Sequence, residues 1–268
     1  MSDDFIDGLL PPPDAGRNEQ ASAIARADRP ALPKRFYQNV NAELRDGAYA
    51  LLLDGRSART PGRAPLAVPN VSIADLLVQE WQQQVEVINP ATMPMTRLVN
   101  SVIDGVSQTQ AEVAAEIVKF AGSDLLCYRA NSPDRLVNRQ TTLWDPILAW
   151  ARETLKARFV LSEGVMFVSQ PAETIAAIDR AVKAQQSPYA LGGLHVLTSL
   201  SGSALIALAL AYKYFTFDEA WLAAHVDEDV QAEIWGTDDE ARVRRENRYR
   251  DFVAAAKLVQ HSWDHEES

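Results

Sequence analysis

The hydrophobic pattern of the chain changes period once. From Arg35 to Val68 it alternates: RFYQNV sets Phe36, Gln38 and Val40 two apart, and AYALLL follows at 48–53. Asp46-Gly47 and Asp54-Gly55 bracket that second run. Asp-Gly pairs accept the positive φ of tight hairpin turns, so this stretch predicts consecutive hairpins in a small antiparallel meander. After it the apolar positions recur every three or four residues. Ile73, Leu76, Leu77, Trp81, Gln84 and Ile88 predict a helix, with Ser72 as its N-cap and Asn89-Pro90 as its stop. MPMTRLVNSVIDGV (93–106) reads as a loop entering a short helix. Thr109-Gln-Ala-Glu112 has capping-box form before a helix with Val113, Ile117 and Phe120 on one face.

Beyond Ser132 every periodic segment is helical. Ser132-Pro133 starts one helix and Asp145-Pro146 starts or kinks the next, with Ile147, Trp150 and Ala151 in one stripe. Residues 171–186 carry Ile175, Ile178 and Val182, and Pro188 opens an apolar pair. Thr216…Glu219 and Thr237…Glu240 are further capping boxes, the second opening a helix with Tyr249, Phe252, Ala256 and Val259. The fold class predicted is α+β. A tail (1–33), poor in apolar periodicity and expected to be mobile, precedes an N-terminal domain of a small antiparallel sheet plus helices (34–128). An all-helical C-terminal domain (129–262) and a short tail (263–268) follow.

The run Tyr189–Tyr212 is long enough to cross about 30 Å of hydrocarbon. Gly192, Gly193, His195, Ser199, Ser201, Gly202 and Ser203 interrupt it and no basic cluster orients it, so it predicts helices buried within a soluble bundle rather than membrane insertion. The chain has 268 residues, 47% of them hydrophobic and 23% charged, with a net charge of −10. That balance argues against a nucleic-acid partner and an anionic membrane surface, and suits a basic protein partner. Cys127 is the single cysteine, so neither an internal disulfide nor a multi-thiolate metal site can form. The start, MSDDFIDGLLPPPDAG, has neither the apolar core of a secretory signal nor the arginines of a mitochondrial presequence. The expected location is the bacterial cytoplasm, or the mitochondrial matrix for a trimmed eukaryotic form.

The chain holds no phosphate loop, HExxH, GxSxG or strand–GxGxxG–helix unit, so no catalytic residues and no cofactor are predicted. Cys127 has no neighbouring histidine and reads as a buried hydrophobe. His225 and Asp229 stand one helical turn apart with Glu228 between them, which leaves a metal-dependent hydrolase as an alternative, but no further ligands are identifiable and no metal is expected. His261 and His265 read as a solvated pair. Trp81, Trp144, Trp150 and Trp221 fall on apolar stripes.

The densest feature is Asp227–Ala241, DEDVQAEIWGTDDEA. It has seven carboxylates and no Lys or Arg, with Trp235 and Gly236 inside it, and Arg242, Arg244, Arg245, Arg248 and Arg250 follow at once. Helix punctuation explains part of it. Glu240 can bond back to Thr237, Asp238 and Asp239 complement the helix dipole, and Gly236 can close the preceding helix in a left-handed conformation. The arginines can pair with acids one or two turns earlier. Asp227, Glu228, Asp229 and Glu233 remain, and acids beside a large ring suit a docking surface. A generic scaffold or homo-oligomer is a second alternative.

Nine ordered motifs carry a resemblance: RFY (35–37), LDGRSARTP (53–61), QEW (79–81), INPATMPMTRLVNSVIDGV (88–106), DLLCYRA (124–130), LVNRQTTLWDPILAW (136–150), GSALIALAL (202–210), DEAW (218–221) and DEDVQAEIWGTDDEA (227–241). Together they resemble the assembly-chaperone family of the F-type ATP synthase that attends the α subunit of the catalytic head. The resemblance implies a two-domain protein with an orthogonal C-terminal helical bundle, no catalysis, no cofactor and no bound metal. It implies a monomer that binds the unassembled α subunit and shields its β-facing surface until β replaces it. The family's WGxDxEA element falls here on Trp235, Gly236, Asp238, Glu240 and Ala241. The expected partner-binding set is Glu240, Asp238, Trp235, Asp227, Glu228, Gln231, Glu233 and Trp81.

Overall fold

The computed structural model describes residues 31–164 and 166–263. Most of the expected N-terminal tail, His265 and the end of the C-terminal tail lie outside the described residues. The chain divides into two compact units, one ending at Ser101 and the other beginning at Val102. The predicted α+β class is correct. The division falls earlier than the expected 128/129, because the helix Gln110–Ala121 packs against helices of the second unit.

In the first unit, β1 (Val40–Arg45) and β2 (Ala48–Leu53) pair antiparallel from Val40↔Leu53 to Arg45↔Ala48. Asp46 (φ 51°) and Gly47 (φ 84°) form the turn, and Asp54 (φ 48°) and Gly55 (φ 78°) form the next. Two consecutive positive φ values are what Asp-Gly supplies most readily. The other edge of β2 is shared by β3 (Arg56–Ser57) and β4 (Ala67–Val68). Leu51, Leu52 and Leu53 are buried in this central strand. α1 (Val71–Gln82) covers the sheet with Ile73, Ala74 and Leu77. Its cap is Asn70, whose Oδ1 accepts from the Ser72 amide at 2.7 Å, so Ser72 supplies a donor rather than the expected cap. Glu80, on α1, takes the Met95 amide (2.7 Å), the Thr96 amide (2.8 Å) and the Thr96 hydroxyl (2.8 Å). An α1 carboxylate therefore caps α2 (Pro94–Asp104).

The second unit contains α3 (Gln110–Ala121), β5 (Tyr128–Arg129), α4 (Asp134–Trp150), β6 (Ser162–Glu163), α5 (Ala172–Lys183), α6 (Pro188–Ser201), α7 (Ala204–Ala211), α8 (Phe217–Ala224), α9 (Val226–Trp235) and α10 (Asp239–Ser262). Pro146 sits inside α4, so Asp145-Pro146 does not begin a new helix. Thr109 caps α3 without a side-chain bond, whereas the Thr216–Glu219 box at α8 is complete. The apolar run 189–212 is broken at Gly202 (φ 69°) into α6 and α7, and among the described residues no helix is long and apolar enough to cross a membrane.

α6 is the axis of this unit and packs against α3, α7 and α10. A Cβ added at Gly192 would lie 2.6 Å from Val102 Cγ2, and one at Gly193 would lie 2.7 Å from Val259 Cγ2 and 3.0 Å from the Ala255 carbonyl oxygen. Both glycines are thus required by close helix approach. Trp144, Trp150 and Trp221 are buried, as their stripes predict. Trp263, assigned to a tail from sequence, is also buried and meets the ring of Tyr212 at 5.6 Å.

Candidate partner-binding site

α9 is the least embedded helix of the acidic block. Only Val226 and Val230 are buried in it, and α4 lies alongside. The remainder of its attachment is polar. Asp227 Oδ1 accepts from Gln140 Nε2 at 2.8 Å, while Gln140 Oε1 accepts from the Ala130 amide at 2.8 Å. Glu233 receives both Arg135 and Arg139 from α4, the latter at 2.8 Å. On the opposite flank, Asp229 meets Arg245 at 2.5 Å and Glu228 meets Arg248 at 3.6 Å.

The start of α10 differs from the capping box expected of Thr237 and Glu240. Asp238 is the N-cap, its Oδ1 accepting from the Ala241 amide at 2.6 Å. Glu240 points along the helix to Arg244 at 2.9 Å, and Asp239 pairs with Arg242 at 3.2 Å. The box fails because the cap moves one residue on, so the three-residue spacing to Glu240 no longer fits. Gly236 ends α9 with φ 79° and ψ 176°, a positive-φ conformation open essentially to glycine but not the left-handed helical one. Its amide still closes on the Ala232 carbonyl at 2.8 Å.

All seven carboxylates therefore have a partner inside the fold, and the arginines that follow supply several of them. This is no bare acidic patch. What stands out is apolar: Trp235 is 84% exposed and Ile234 52%. Two grooves flank α9. One, of about 460 Å³, lies against α10 and is lined by Glu228, Gln231, Trp235, Asp238, Arg244 and Arg248, among others. The other, of about 720 Å³, lies against α4 with Leu143, Leu222, Val226 and Ala232 on its floor. Ala232 and Thr237 line both.

Of the expected set, Glu228, Gln231, Trp235 and Asp238 gather on the α10 flank, and Glu233 turns to the α4 flank. Asp227 is tied to α4, and Glu240 is 77% exposed on its side chain beside Arg244. Trp81 belongs to the first unit, where its carbonyl accepts from the Tyr37 hydroxyl at 2.8 Å and its ring meets Tyr37 at 5.6 Å. Sequence reasoning passed over Ile234, Leu222 and the pair Arg135/Arg139. The four-residue spacing of those arginines signalled a shared face, but nothing in the sequence named Glu233 as what they face.

His225 does not combine with Asp229. Its Nδ1 lies 2.9 Å from the Trp221 carbonyl, its ring stacks on Trp221 at 3.7 Å, and Asp229 is occupied by Arg245. Burial holds its pKa below the usual histidine value; the Trp221 carbonyl and Glu228 oppose it, while Arg248 and Arg245 add to it. Among the described residues no group of three or more His, Cys, Asp or Glu side chains converges to hold a metal. Cys127 is buried, its thiol pushed up to about 12 chiefly by desolvation.

The chain thus combines a mixed sheet-and-helix unit with a helical unit that carries an exposed tryptophan on an ion-paired helix. The ATP12 chaperone protein family matches residues 34–152. A protein from Agrobacterium tumefaciens described as a candidate chaperone is 46% identical, with 96% of this chain and 94% of that one covered and a TM-score of 0.82. Atp12 from Paracoccus denitrificans is 34% identical over 86% of this chain and 98% of its own, with a TM-score of 0.78. The mitochondrial protein atp12 of Schizosaccharomyces pombe is 22% identical over 84% of this chain and 81% of its length. The chain belongs to the ATP12 chaperone family.

Proposed function

We propose that this protein is an assembly chaperone of the F-type ATP synthase, a non-enzymatic monomer of the bacterial cytoplasm. It binds the unassembled α subunit of the catalytic head and shields the surface that β later covers. The observation that carries the reading is Trp235. An 84% exposed tryptophan sits at the end of a helix whose acids each already have a partner in the fold.

Trp235 and Ile234 form the apolar centre of the contact, and burying a side chain of that size contributes about 2–3 kcal/mol. Glu228, Glu233 and Glu240 with their arginines, together with Gln231 and Asp238, form a polar rim. Exposed ion pairs such as Glu240–Arg244 contribute little to the free protein, so a partner can take them over at small cost. Asp227 and Asp238 act by holding α9 and the start of α10 in place. Trp81 is packed against Tyr37 and drops out of the contact surface in this reading. Displacement by β requires moderate affinity, on the order of micromolar or about 8 kcal/mol.

The test is co-expression with α in the absence of β. Soluble α, captured by the wild-type chain and lost with Trp235→Ala and Glu240→Lys, supports the reading. Glu240→Lys reverses a charge beside Arg244 at an exposed site and leaves the fold intact, which circular dichroism checks. Equal precipitation of α with and without this protein would end the proposal. Unchanged capture by folded Glu240→Lys removes Glu240 from the contact.

A further inference from the structure

The groove between α4 and α9 lies on the flank of α9 away from Arg244 and Arg248, and the contact just proposed reaches only its Glu233 edge. We infer that it is a receptor for an amphipathic helix carrying a carboxylate beside its apolar stripe. The floor is apolar, made by Leu143, Leu222, Val226 and Ala232, and Leu222 is 48% exposed although Ala220, Trp221 and Ala223 of the same helix are buried. Its two walls are helices, which leave a trough that suits a third helix packed at about 8–10 Å. α9 has ten residues, a length of about 15 Å, enough to seat two to three turns.

The rim fixes the sign of the occupant. Arg135 and Arg139, one turn apart on α4, both converge on Glu233, so two guanidinium groups share one carboxylate. Asp229 also lines the groove, but Arg245 of α10 engages it, and Asp227 takes the Gln140 amide. At the Glu233 end two guanidinium groups therefore face one carboxylate, while Asp227 keeps its charge on the neutral Gln140 amide. An incoming carboxylate completes that cluster, and an incoming lysine is repelled by it. Helix-in-groove binding of this kind reads apolar anchors at i, i+4 and i+7. The identity of the protein bearing the helix, a segment of the captured subunit, rests on the function proposed above. The chemistry of the groove does not.

The probe is a pair of synthetic, fluorescently labelled peptides of about 18 residues, long enough for partial helicity. Both carry Leu at i, i+4 and i+7, flanked in one by Glu and in the other by Lys, and are titrated into the full chain at low salt with anisotropy as readout. The Glu peptide is expected to bind at least about tenfold more tightly than the Lys peptide. Leu222→Glu should abolish this binding and Leu222→Ala weaken it, while Arg139→Gln should erase the discrimination between peptides. Equal binding of the two peptides, binding of neither, or undiminished binding by Leu222→Glu would overturn the inference. Capture of α through Trp235 is read in a separate assay, so failure of one leaves the other standing.

Discussion

The Asp124 carboxylate accepts the Ser203 hydroxyl proton at 2.7 Å, joining positions 79 residues apart in the chain. The same carboxylate takes the Leu126 amide at 3.1 Å and the Leu205 amide at 3.1 Å, and it is wholly buried. Desolvation outweighs these bonds and raises its pKa from 3.8 to about 6. Between those values the folded state holds the extra proton, so this group's stabilisation is full below 3.8 and is lost as pH rises through about 6. The swing is on the order of 3 kcal/mol. Urea unfolding of wild type and Asp124→Asn across pH 4–7 checks this: the difference between them should carry the slope. Asp124→Ala, which strands three donors, should lose about 3 kcal/mol or more at any pH.

His225 gives the opposite sign. Burial depresses its pKa, so the stability it protects is present above 6.5 and falls away as pH drops through the folded value. Hydrogen bonding to the Trp221 carbonyl requires the proton on Nδ1. Nitrogen-detected NMR titration should find that tautomer, neutral at a pH where an exposed histidine is half protonated.

Glu80→Ala should cost about 2–3 kcal/mol in urea unfolding, because it releases the Met95 and Thr96 amides that begin α2. Glu80→Gln keeps one oxygen acceptor and should cost less.

Gly193→Ala tests helix approach against helix propensity. Alanine favours a helix by about 1 kcal/mol, but overpacking costs about 1–3 kcal/mol. With Val259 Cγ2 at 2.7 Å and the Ala255 carbonyl oxygen at 3.0 Å, the steric effect should win and the melting temperature should fall.

The Cys127 thiol, buried and held near 12, should resist maleimide in the native protein and react at once in denaturant. Rapid native labelling would contradict its placement.

Local chemistry was legible in the sequence wherever a residue acts on its near neighbours. Asp46-Gly47 and Asp54-Gly55 made the two hairpin turns, and Thr216 with Glu219 made its box. The same rule misled at Thr237, because Asp238 offered a competing cap one residue later. The acidic block illustrates the larger limit. Asp227, Glu228, Asp229 and Glu233 were left over from helix punctuation as a docking surface, yet Arg135 and Arg139 lie nearly a hundred positions upstream and only the fold brings them to Glu233. The tryptophans show the same divide. Periodicity placed Trp144 and Trp221 in the core, but the exposure of Trp235 follows from α9 resting on two valines.

The close seat of Val259 against Gly193 also bears on how the molecule is born. α6 emerges from the ribosome long before α10, and until α10 arrives one side of the most apolar helices stays uncovered, with Phe252, Ala255 and Val259 still missing. A nascent chain stalled short of those residues has an open, sticky interior, so the helical unit must complete itself after synthesis of α10. A member of a chaperone family thus meets, in its own synthesis, the hazard of uncovered apolar surface.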